Sequence, residues 1–116
     1  MSKKIDLFFC VLLGLGTLGH CLGTFKFAEF GSNLFVWSLS GAVAAGLLDA
    51  LNILRNARPA DKTVARIALV GNLAWLLIVI LFGLSLGNFF DFRVLFHGIA
   101  TLGLLFFSIR TLQKNH

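Results

Sequence analysis

The sequence predicts an all-α integral membrane protein, an up-down-up-down bundle of four transmembrane helices with both termini cytoplasmic. Three observations carry this. The chain of 116 residues is 58% hydrophobic but only 13% charged, about half the charge of an average soluble domain. The charges cluster at the chain ends and in three short connections. Between them lie four apolar stretches, each about twenty residues long, enough to cross a hydrocarbon core of about 30 Å as a helix. Hydrocarbon offers the backbone no outside partner, so such segments must be helical.

The first helix is expected over residues 5–23, the second over 33–54, the third over 63–86 and the fourth over 92–112, together one transmembrane domain spanning 1–116. The first stretch contains "GLGTLGH", in which Gly14, Gly16 and Gly19 spell the G-x-G-x-x-G of dinucleotide-binding proteins. That fingerprint requires a strand to end at the glycines and a βαβ unit to follow. Here the apolar run continues to Leu22, so the glycines are read as packing positions in a membrane helix. Gly19 with Gly23, and Gly83 with Gly87, form G-x-x-x-G pairs. "MSKK" before an apolar run resembles a signal peptide, but no small-residue cleavage site closes it, and it is read as a retained first helix.

Orientation follows from the basic residues. Lys3, Lys4, Arg55, Arg58, Lys62, Arg66, Arg110 and Lys114 fall on the side of the termini, and only Lys26 and Arg93 on the other. Lys and Arg prefer cytoplasmic loops, so the chain reads as N-in and C-in, with a bacterial cytoplasmic membrane as its setting. The net charge of +5 is accounted for by this bias and by anionic lipid headgroups. The expected partners are the bilayer and a second copy or a larger membrane complex, with no nucleic acid. Trp37 opens the second helix at the outer interface, and Trp75 lies deeper.

Polar residues within membrane segments are costly and are functional candidates by default. Asp49 lies more than a turn inside the second helix, and Arg66 or Arg110 is expected to pair with it; Asn52 and Asn72 are positioned to join by hydrogen bonding. On the outer half, His20 and His97 lie about a turn from the ends of the first and fourth helices. At matched depth on neighbouring helices, two imidazoles suit a ligand pocket for a quinone or lipid-like molecule, bis-histidine haem, or a Zn²⁺ or Cu²⁺ site. Asn33 and Asp91, at the outer starts of the second and fourth helices, complete the candidate ligand-binding set. Asp91 is also placed to cap the fourth helix. His116 lies at the opposite end. Cys10 and Cys21 are about 16 Å apart along one helix, too far for a disulfide.

Two functional expectations follow. One is a ligand- or cofactor-binding or accessory subunit with an outer pocket around His20 and His97. The other is a small oligomeric transporter or channel with Asp49 as its coupling carboxylate. No nucleophile–base pair, carboxylate pair or phosphate loop points to an enzyme.

Overall fold

The computed structural model describes residues 2–115, and Met1 and His116 lie outside the described residues. The chain forms α1 (Ser2–Phe27), α2 (Asn33–Ala57), α3 (Lys62–Leu86) and α4 (Phe92–Gln113). All four are long and apolar enough to cross a membrane. α1 runs about a turn past its expected C-terminus. Hydropathy marks where hydrocarbon would lie rather than where the backbone hydrogen-bond ladder stops.

Local chemistry sets the helix starts. Ser32, Asp61 and Asp91 are the N-caps of α2, α3 and α4, accepting from the backbone N–H of Phe35, Val64 and Arg93 respectively. Each cap satisfies one of the donors a helix start leaves unpaired, typically worth about 1 kcal/mol. α3 ends at Gly87, whose φ of +65° is a left-handed cap that a side chain would strain.

Short loops force antiparallel neighbours, and side-chain contacts give the register. Thr24 meets Ser38, and Asp6 meets Arg55, so α1 and α2 run in opposite directions. Trp75 lies against His97 with tilted rings, and Asn72 reaches Ser108, which sets α3 against α4. α4 also packs on α1, closing the ring in a body of 48 × 26 × 21 Å. The bundle thus has a terminal end, holding both termini and the α2–α3 loop, and an opposite end holding the other two loops.

The apolar centre is small: Cys10, Leu13, Leu48, Ala100 and Leu104, flanked by Phe9, Leu12 and Trp75. Large apolar side chains such as Leu15, Val43, Leu77 and Leu102 point outward on all four helices, each more than half exposed. A soluble bundle hides such residues; one surrounded by acyl chains displays them.

Within one chain, neither G-x-x-x-G pair packs as a pair against a neighbouring helix. Gly19 and Gly23 have no neighbour within 4 Å of an added Cβ. Gly83 lies beneath the Phe89 ring, and Gly87 is the α3 cap. Close approaches also occur at Gly14 and Gly16, where polar side chains from α2 and α4 take the space, and at Gly71 and Gly103, where Leu48 and Phe9 do.

Candidate functional site

The bundle's polar residues form three tiers. At the terminal end, the Arg55 guanidinium donates to both Asp6 carboxylate oxygens, at 2.9 and 2.7 Å. Its Nε and Nη2 both donate to Asn52 Oδ1, and its Nη1 also reaches Thr111 Oγ1. Asn56 donates to the same carboxylate at 3.0 Å and to the Lys3 carbonyl. Asn52 and Asn72 exchange amide hydrogen bonds of 2.9 and 3.0 Å, and Asn72 donates onward to Ser108. Arg55, Asn52, Asn72 and Ser108 are fully buried. One network therefore ties α1, α2, α3 and α4 together. A bidentate fork with its remaining acceptor sites filled is the arrangement that makes a buried ion pair tolerable.

The expected pairing of Asp49 with Arg66 or Arg110 is not formed. Among the described residues, the ion pair inside the bundle is Arg55–Asp6, and the other is Arg93–Asp91 at the surface. Arg66 is exposed, and Arg110 lies over the Phe106 ring at 5.8 Å. Asp6 lies one turn into α1 and Arg55 less than a turn from the end of α2, so antiparallel packing brings them to one level. From the sequence, Arg55 counts only among the basic residues on the side of the termini. The i, i+3 recurrence of Asp49, Asn52 and Arg55 on an apolar helix was the available sign of a buried polar stripe.

The middle tier is different in kind. Asp49 Oδ1, Trp75 Nε1 and His97 Nδ1 are buried with no hydrogen-bond partner among the described residues. The other Asp49 oxygen sits 2.9 Å from where a Cβ on Gly14 would be, and His97 Nε2 sits 2.9 Å from the same point on Gly16. Asp49 and His97 thus flank α1 from its two sides, at positions two residues apart, about 3 Å in depth. The His97 and Trp75 ring centroids are 5.9 Å apart. Thr101, one turn on, donates to the His97 carbonyl.

The third tier lies near the opposite end. His20 Nε2 is 2.8 Å from the Ser38 carbonyl oxygen, and Thr24 and Ser38 share a 2.6 Å hydroxyl contact. α1 and α4 are neighbours, as the two-histidine reading requires, yet the two imidazoles turn to different surroundings. His20 faces Ser38 and Gly41 of α2, while His97 faces Gly16 of α1. Asn33 is exposed at the start of α2 and joins neither. Asp91 is spent on its cap and on Arg93. These hydrogen bonds hold the Asp91 carboxyl below the usual carboxylate range.

No three His, Cys, Asp or Glu side chains gather as a metal site among the described residues. Bis-histidine haem needs two free imidazole nitrogens aimed at one iron. In this structure His20 turns to Ser38 of α2 and His97 to Gly16 of α1, so the two rings are not aimed at one point and the geometry adds no support to the haem or metal reading. The two cysteines are free thiols, Cys10 buried and Cys21 half-buried.

Comparison with known protein families, curated proteins and solved structures finds no match to this chain. The functional reading therefore rests on the geometry of these tiers.

Proposed function

We propose that the four helices span a lipid bilayer with both termini cytoplasmic, and that the chain is a small membrane transport protein that moves protons, with Asp49 as the exchanging carboxyl group. One observation carries the reading. The bundle contains two inward carboxylates, and it treats them in opposite ways. Asp6 is clamped by Arg55 and Asn56. Asp49, one turn deeper than Asn52, has no cation and one buried oxygen without a partner among the described residues. An ionised carboxylate without a countercharge is among the costliest groups to hold in hydrocarbon. Such a carboxyl group is a functional candidate by default, and proton uptake and release is the chemistry that fits it.

His97 supports this reading because it stands at nearly the same depth with Nδ1 free of partners. Imidazole is the other side chain that exchanges protons near neutral pH. His20 extends the titratable series toward the opposite end, where it is exposed. At the terminal end, the Arg55–Asp6 network supplies a rigid floor. A second reading, a binding pocket for a polar or lipid-like ligand, is favoured by the unpartnered His97 Nδ1 and Trp75 Nε1, which would orient such a molecule.

The test is proton flux in vesicles containing purified protein and an internal pH dye, driven by an imposed membrane potential. Flux should exceed that of protein-free vesicles, fall to background in Asp49→Asn and persist at a reduced rate in Asp49→Glu. Flux equal to background in the intact protein, or undiminished in Asp49→Asn, would reject the transport reading. Ligand-dependent quenching of Trp75 that is lost in His97→Ala would then favour the pocket.

A further inference from the structure

A groove of about 530 Å³ runs between α1 and α4 toward the terminal end, within the range of about 300–1,000 Å³ typical of small-molecule sites. Its wall is apolar, formed by Phe9, Ile99, Leu102, Phe106 and Phe107, and its end is marked by Arg110. Along α4 the distance from Ile99 to Arg110 is about 16 Å, close to half of a hydrocarbon core of about 30 Å. The groove therefore has the length of one leaflet.

Its depth comes from Gly103. A Cβ there would overlap the Phe9 ring, so the missing side chain lets Phe9 lie against α4 and form the groove floor. At its end the groove meets a second hollow of about 200 Å³, and Phe107 and Arg110 line both. Lys3, Lys114 and Arg55 also face this hollow, against the single carboxylate of Asp6. That carboxylate is already occupied by Arg55. Arg110 has no carboxylate partner among the described residues. An apolar channel one leaflet long that ends in uncompensated positive charge is complementary to an anionic lipid.

We propose that this groove is a specific site for an anionic phospholipid, with an acyl chain against Phe9, Ile99 and Leu102 and its phosphate on Arg110, Lys114 and Lys3. The site needs the helices to span a bilayer but is independent of any role of Asp49. Arg110 commits the headgroup to the leaflet at the terminal end. Arg66, exposed on α3 at the same end, does not line the groove and serves as a control for diffuse surface charge.

The experiment is native mass spectrometry of the detergent-purified chain titrated with phosphatidylglycerol, and with phosphatidylcholine of identical acyl chains. One phosphatidylglycerol should be retained per chain in clear preference to phosphatidylcholine. Arg110→Gln should weaken its binding about five- to tenfold, as expected for loss of one basic contact near the surface. Leu102→Trp, at an exposed position that tolerates bulk, should weaken both lipids by filling the groove. Arg66→Gln should leave binding unchanged. Equal binding of the two lipids would overturn the proposal, as would equal losses in Arg110→Gln and Arg66→Gln. Helicity measured on each variant distinguishes loss of the site from loss of the fold. If Arg110→Gln does not fold, Lys114→Gln, at an exposed helix end, decides by the same comparison.

Discussion

Replacing Arg55 by Met removes the guanidinium while keeping most of the side chain's apolar length, and it isolates what the buried ion pair contributes. Arg55 makes five hydrogen bonds: two to Asp6, two to Asn52 Oδ1 and one to Thr111. Its side chain is fully buried and that of Asp6 is 6% exposed, so water cannot take over. In Arg55→Met, Asp6 retains only the Asn56 amide. Breaking a buried pair from one side costs about 3–5 kcal/mol, because the remaining charge is stranded. The two hydrogen bonds to the carboxylate, at about 1.5–3 kcal/mol each for bonds to charged groups, give a similar sum. Removing both partners in Asp6→Asn/Arg55→Met strands no charge, and stability should return to within about 1–2 kcal/mol of the original. Arg55→Lys should fall between, since an ammonium cannot reproduce the planar fork. The assay is reversible denaturant unfolding in mixed micelles followed by circular dichroism, as a double-mutant cycle. A loss below about 1 kcal/mol in Arg55→Met, or strictly additive single effects, would refute the view that this pair is buried and coupled.

Three further outcomes follow from the same contacts. Gly71→Ala drives a Cβ to 2.7 Å from a methyl of Leu48, and Leu48 is buried in the core, so an overpacking cost of about 1–3 kcal/mol, less about 0.5–1 kcal/mol of helix propensity, should leave a net loss of up to about 2 kcal/mol in the same unfolding assay. Asn72→Leu deletes the bonds to Asn52 and Ser108 and should cost about 1–2 kcal/mol, measured likewise, with the effect shrinking when Asn52 is also made Leu. Asp91 has its carboxyl lowered on folding chiefly by the Arg93 side-chain hydrogen bond. A depressed carboxyl stabilises the fold fully above its unfolded value of about 3.9 and loses that contribution as pH falls through the lower folded value. The stability gap between the intact chain and Asp91→Asn, present near neutral pH, should therefore close in strong acid.

Four helices long and apolar enough to span a bilayer were legible in the sequence because hydropathy over about twenty residues responds to transfer free energy, which needs no knowledge of the neighbours. The α4 cap was legible for a similar reason: Asp91 acts on its own helix start, two residues away. What could not be read was azimuth. The sequence suggested matched depth for His20 and His97 and neighbouring helices for both, but not that His20 would turn to Ser38 on α2. Asp6 and Arg55 were each visible as charges near a helix end, and only the packed register of α1 against α2 makes them a pair. Asp49 shows the same limit in reverse. It lies well inside α2, and the arginines expected beside it do not pair with it, leaving it against Gly14. The glycine fingerprint that opened the nucleotide question is, in the fold, the space that Asp49 and His97 occupy.

The most direct test of the central claim labels the intact chain in lipid vesicles with a membrane-soluble carbodiimide, which reacts with carboxyl groups that take up a proton, and locates the adduct by peptide mass spectrometry. The account predicts modification at Asp49, absent in Asp49→Asn, with Asp6 protected by Arg55. Modification at Asp6 with Asp49 untouched would contradict it.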